Sequence, residues 1–136
     1  MNREIKFRVW DKLWKEMSYI DLCDLAEGDD YWYDGETSVW EVMNDATNEQ
    51  RRYVIQQYTG LKDKNGKEIY EGDVLNNTAV NFKFIVKFEN TKYILQKLEY
   101  PDDALDMNDY FHRIPTMFEV IGNIYEREKE NVNTTN

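Results

Sequence analysis

Phe82-Lys83-Phe84-Ile85-Val86-Lys87-Phe88 decides the fold. Phe82, Phe84, Val86 and Phe88 alternate with Lys83, Ile85 and Lys87. A period of two puts three aromatics and a valine on one face of an extended strand, whereas a helix would scatter them around its girth. Tyr93 to Leu98 then reads as the antiparallel partner across Glu89-Asn90-Thr91. Upstream, Val54 to Tyr58, Ile69-Tyr70 and Val74-Leu75 are shorter strands. Asp63-Lys64-Asn65-Gly66-Lys67 holds Asn-Gly, a pair that tolerates the positive φ of a tight hairpin turn. Gly60 is expected at positive φ after Thr59, and Gly72-Asp73 at a further reversal, with the Asp73 carboxylate accepting backbone N–H groups. Downstream, Pro101 opens a polar segment with Leu105, Tyr110 and Phe111 that predicts one or two helical turns. Phe118 to Tyr125 is the last strand, interrupted at Gly122.

The N-terminal part continues the theme. Ile5, Phe7 and Val9 alternate with Lys6 and Arg8, a turn lies between Asp11-Lys12 and Lys15-Glu16, and Met17 to Ile20 returns. Asp21 to Glu27 predicts a short helix ended by Gly28, and Asp34-Gly35 a hairpin between Tyr31-Trp32-Tyr33 and Ser38 to Val42. Short strands at near-regular spacing predict a mainly β protein, a small barrel or sandwich with short helical segments. The organisation is a β-rich acidic subdomain over 1–52, a β domain over 53–126 and a disordered tail over 127–136. The core is expected to contain Phe7, Val9, Val54, Ile69, Val74, Phe82, Phe84, Val86, Phe88, Val120, Ile121 and Ile124.

Charge is uneven along the chain. The net charge of the 136 residues is −10, but residues 18–50 carry ten acidic groups and no Lys or Arg, while 1–17 and 51–99 are net positive. Duplex-binding proteins present a basic face, because neutralised phosphates supply much of their affinity, so nucleic acid is an unlikely partner. No apolar run is long enough to span a bilayer, and the first residues lack the apolar core of a signal peptide. With the single cysteine, Cys23, these features predict a cytoplasmic protein of a reducing compartment, away from membranes.

No catalytic or metal-binding constellation emerges. The lone histidine, His112, excludes a two-histidine metal site within one chain, and Cys23 sits among acidic residues that would raise its pKa. Asp30, Asp34, Gly35 and Glu41 match the spacing of a calcium loop, but Trp32 stands at a ligand position and Thr37 replaces the usual aliphatic, so an acidic hairpin is the better reading. Asp29-Asp30, Asp102-Asp103 and the pair Asp106 and Asp109 are too common in so acidic a chain to mark acid–base chemistry. Gly60, Gly66 and Gly72 are turn glycines without the strand-to-helix setting of a phosphate loop. The expectation is therefore no enzyme, no cofactor and no metal. Trp10, Trp14, Tyr31, Trp32, Tyr33 and Trp40 concentrate aromatic surface in the N-terminal part. Tyr31-Trp32-Tyr33 are consecutive, so a strand there sends aromatics to both faces, and with Trp40 they are the candidate partner surface.

Three segments together resemble the YopX family of small phage- and prophage-encoded proteins: Arg3 to Asp11 (REIKFRVWD), Gln57 to Val74 (QYTGLKDKNGKEIYEGDV) and Val120 to Glu126 (VIGNIYE). Residues 18–52 and 76–117 match no pattern. The resemblance implies an SH3-like β-roll in the C-terminal half, the cytoplasm of a bacterial host, and no established activity or catalytic residues. The expected function is a non-catalytic protein-binding or accessory domain whose partner is a host or phage protein. The alternative is an acidic mimic of nucleic acid that occupies a host DNA- or RNA-binding protein. A homo-oligomer is left open.

Overall fold

The computed structural model describes residues 4–21 and 52–126. These form nine strands: β1 (Lys6–Asp11), β2 (Glu16–Asp21), β3 (Tyr53–Lys62), β4 (Glu68–Tyr70), β5 (Asp73–Asn77), β6 (Phe82–Glu89), β7 (Lys92–Lys97), β8 (Ala104–Asp106) and β9 (Phe118–Asn123). A 3₁₀ turn (Met107–Tyr110) and one turn of α-helix, α1 (Ile114–Met117), lie between β8 and β9. The described residues are mainly β, with curled sheets and few short helices, as the strand spacing predicts and in keeping with the SH3-like roll that the resemblance implies. The chain divides into two compact units between Gln57 and Tyr58, inside β3. Asp21, where a helix to Glu27 is expected to begin, instead ends β2; the rest of that segment, the hairpin expected at Asp34-Gly35 and the tail from 127 lie outside the described residues.

In the first unit, β1 is the central strand. It pairs antiparallel with β2, from Lys6↔Asp21 to Asp11↔Glu16, and with β3, from Phe7↔Gln57 to Asp11↔Tyr53. Val9, Trp10, Tyr53 and Val54 are buried. Arg8 and Gln56, opposite each other in the register, are buried as well, and the Arg8 guanidinium donates to Gln56 Oε1 at 2.7 Å.

In the second unit, the far half of β3 pairs with β4, and a separate five-stranded sheet runs in the order β8-β7-β6-β5-β9. Leu75, Phe84, Val86 and Leu95 share one face and pack with Ile69, Met107, Ile114 and Phe118 into the core. Phe118 and Ile114 have no solvent exposure, so the short helix and the first residue of β9 both help to close the core.

Three expected core residues are exposed instead. Phe82 (44%) and Phe88 (51%) stand at the two ends of β6, where the alternation continues but the covering layer does not. The Lys97 ammonium lies 5.6 Å from the Phe82 ring centre, and Tyr93 meets Phe88 edge-on at 5.0 Å, so each ring has a local partner at the rim. Ile121 is the extra residue of a β-bulge. Val74 faces Gly122 and Leu75 faces Val120, which leaves Ile121 unpaired and turned outward. The segment after Pro101 also holds a strand, β8, too short for its alternation to register in sequence.

Candidate functional site

The turns organise the polar side chains, and two of the three buried aspartates, Asp63 and Asp11, dominate them. Asp63 begins the turn between β3 and β4, and only 4% of it is exposed. Its Oδ1 accepts the N–H groups of Asn65 (2.8 Å) and Lys67 (2.9 Å), and its Oδ2 accepts the N–H of Val120 in β9 (2.8 Å). The next residue completes the junction: Lys64 N–H donates to the Phe118 carbonyl at 2.9 Å. Phe118 and Val120 are alternate residues of β9 and present these groups on the edge away from β5. The Asp63-Lys64 pair thus stands where a neighbouring strand would bind.

The rest of the motif is spent in the same way. Gly60 (φ 90°) sits at the irregularity of β3 between Tyr58 and Lys62, and no atom lies near where a Cβ would be, so its backbone angle alone asks for glycine. Thr59 Oγ1 donates to the Ile69 carbonyl across the pair at 2.8 Å. Asp73, 1% exposed, accepts the Tyr70 N–H at 2.8 Å, as its place in the turn predicts. Gly72 (φ 85°) donates to Val86 and accepts from Ile124. Asn123 Oδ1 caps the segment after β9 by accepting from Tyr125 and Glu126.

The second aspartate is Asp11, at the end of β1, with a side chain 1% exposed. Its Oδ1 accepts the N–H groups of Leu13 (3.0 Å) and Trp14 (3.2 Å). Arg52 clamps it with Nε on Oδ1 and Nη2 on Oδ2, both at 2.9 Å, and Lys12 N–H bonds the Arg52 carbonyl. A two-pronged guanidinium–carboxylate contact fixes direction as well as distance. The result is a firmly held turn whose tip, Leu13 (69% exposed) and Trp14 (61%), faces solvent. Tyr19 on β2 is also 61% exposed, whereas Trp10 is buried.

Among the described residues the acid pairs do not converge on one point. Asp103 pairs with Lys97 and Asp106 with Lys92. The Asn108 amide, and after it the Lys92 ammonium, hold the Asp106 carboxyl below its ordinary pKa, which suits a charged cap of the 3₁₀ turn. His112 is exposed and lies against Phe111. Among the described residues no three His, Cys, Asp or Glu side chains gather as a metal-binding group. Nor, among them, is any helix long and apolar enough to cross a membrane. The candidate partner residues Tyr31, Trp32, Tyr33 and Trp40, with Cys23 and the calcium-like spacing at Asp30 to Glu41, lie outside the described residues. Sequence reasoning grouped Trp14 with the other N-terminal aromatics but missed the clamp beneath it, because Asp11 and Arg52 are 41 residues apart.

The comparisons bear on family and fold. Residues 6–129 match the family model described as YopX protein. A solved structure, protein EF1440 from Enterococcus faecalis, is similar in fold, with a TM-score of 0.56 at 22% identity, covering 95% of this chain and 99% of that one. No curated protein matches the chain.

Proposed function

The chain belongs to the YopX family, and from that premise we propose that it is a non-catalytic binding or accessory domain, phage- or prophage-encoded, that docks a host or phage protein in the bacterial cytoplasm. The observation that carries this reading is the exposure of Trp14 and Tyr19 on the N-terminal unit. Tryptophan and tyrosine are the usual anchors of protein interfaces, since a large rigid apolar body carries a polar edge. The commitment of Asp63, Asp73 and Asn123 to backbone amides supports it from the other side: the most distinctive polar residues of the chain maintain the fold.

One observation favours a second reading. Ten acidic groups without a basic one in residues 18–50 resemble the charge of a nucleic acid, and an acidic mimic would occupy a DNA- or RNA-binding protein. Pull-down from host lysate at low and high salt separates the two. Docking through aromatics predicts capture that survives high salt and falls when Trp14 and Tyr19 are both replaced by Ala. Capture that salt releases and DNA competes away sinks the docking reading in favour of mimicry.

A further inference from the structure

We propose that Asn65-Gly66, at the tip of the β3–β4 turn, is a site of spontaneous deamidation whose rate is set by opening of that turn. This chemistry is independent of the protein-binding reading. The chain has a single Asn-Gly pair. In such a pair the glycine nitrogen, once it gives up its proton, attacks Cγ of the asparagine. A C–N bond forms, the side-chain amide leaves as ammonia, and a cyclic imide results. Water then opens the ring at either carbonyl, giving aspartate or isoaspartate, whose main chain runs through the β-carbon. A water is taken up, an ammonia is released, and nothing is oxidised or reduced. Glycine favours the attack because it has no side chain to obstruct it.

The turn exposes this pair and restrains it. Both residues are exposed, and no atom lies within 4 Å of where a Cβ on Gly66 would be. Among the described residues nothing hydrogen-bonds the Asn65 carboxamide. The backbone, by contrast, is tied. Gly66 N–H donates to the Asp63 carbonyl at 3.0 Å, so the attacking nitrogen keeps its proton until that bond breaks. The amides on either side of it, Asn65 and Lys67, both donate to Asp63 Oδ1. Asp63 N–H donates to the Lys67 carbonyl at 2.8 Å and closes the turn from its other end. Reaction therefore waits on local opening, as amide hydrogen exchange does. Its product hinders reclosure. Isoaspartate lengthens the main chain between Asp63 and Lys67 by a carbon, and it leaves a new carboxylate in the turn that already holds the Asp63 one. Because Asp63 Oδ2 also accepts the Val120 N–H, modification loosens the edge of β9. A chain that has opened is thereby marked irreversibly.

The test incubates the full chain at mildly alkaline pH, folded and unfolded in guanidinium chloride. Peptide mass spectra follow the amide-to-acid conversion, and labelling by an isoaspartyl methyltransferase identifies isoaspartate. In the unfolded chain, conversion at residue 65 is expected ahead of every other asparagine. In the folded chain it is at least about tenfold slower, the factor that one or two turn hydrogen bonds are worth. Asp63→Asn, which keeps an acceptor for the loop, speeds the folded reaction about threefold. Denaturant below the unfolding transition speeds it in the unmutated chain, in step with hydrogen exchange of the Gly66 amide. In the modified chain the Val120 amide exchanges faster. The absence of isoaspartate at 65 in the unfolded chain overturns the proposal. So does an equal rate in the folded and unfolded chains, a rate unaffected by Asp63→Asn and by low denaturant, or a Val120 amide that modification leaves unchanged.

Discussion

The turn at Asp11 and the turn at Asp63 use one device to opposite ends. In each, a buried carboxylate at the end of a strand collects the amides of the following loop. At Asp63 the remaining oxygen reaches inward to Val120 and seals the edge of a sheet, while the loop exposes only Lys64, Asn65, Gly66 and Lys67. At Asp11 the remaining valence goes to Arg52, and the loop exposes Leu13 and Trp14. A buried aspartate that gathers amides therefore says that a loop is rigid. What the loop shows to solvent, and what its last oxygen holds, says whether the rigidity closes the fold or presents a surface.

The sharpest way to break the comparison is Asp63→Ala. It leaves three amides without their acceptor, each costing about 1–3 kcal/mol when buried, and partial access of water to the loop brings the expected loss to about 4 kcal/mol in urea unfolding. Asp63→Asn keeps an acceptor for the loop but turns an NH2 toward the Val120 amide, so about half that loss is expected. A loss for Asp63→Ala under about 1 kcal/mol would show that the edge closure is incidental.

Asp11→Ala should cost less, about 2 kcal/mol, because Arg52 is a third exposed and water compensates its lost partner. The informative part is where the loss falls: faster hydrogen exchange at Leu13 and Trp14, with the amides of 64–67 unchanged. Slowed or unchanged exchange at the tip would separate it from its clamp.

A third turn, with no buried carboxylate, sharpens the point. Asn90 (φ 52°) and Thr91 (φ 67°) join β6 to β7 with both central residues left-handed, the conformation of a tight hairpin, and a β-branched residue fits it poorly. Thr91→Gly should therefore stabilise the protein by about 1 kcal/mol in the same assay. Loss of stability would mean that the Thr91 hydroxyl bond to the Asn90 carbonyl outweighs the strain.

The smallest effect is at Asp106, a carboxylate that caps at the surface. Its folded pKa lies below the ordinary value, so the unfolded chain takes up a proton first as pH falls. Its contribution is complete above the unfolded value of about 4 and is lost as the pH drops through the folded value. Asp106→Asn should flatten the melting temperature slightly in that acidic window and leave its slope near neutrality alone. An unaltered profile across the acidic window would show the cap to be energetically silent.

Legibility in the sequence followed the range of each interaction. Phe84 and Val86 were readable because alternation is local, and Gly60, Gly66 and Gly72 because each turn asks for its own backbone angle. Phe82 and Phe88 obey the same alternation, but a strand can outrun the layer that covers it, and no period reports where that layer stops. Ile121 looked like core because a bulge is a one-residue slip between strands about 46 positions apart and leaves no local mark. Asp63 was seen as part of a turn and not as an edge closure, since its third donor is 57 residues on. The aromatic candidates Tyr31, Trp32, Tyr33 and Trp40 rest on sequence alone.

The junction of Asp63-Lys64 with β9 also sets a schedule. Synthesis runs from the N-terminus, and β5 has β6 on one side and β9 on the other, so among the described strands the last one made covers the outer side of β5. Until residues 118–123 leave the ribosome, β5 shows an open edge, Asp63 lacks its distant donor, and Phe118 is missing from the core. The C-terminal unit consequently completes itself only once β9 has emerged, by contacts distant in sequence. Protease digestion of ribosome-arrested chains ending at 117 and at 126, each extended by a linker that clears the exit tunnel, reads this directly. Equal resistance of the two would place closure before β9 arrives.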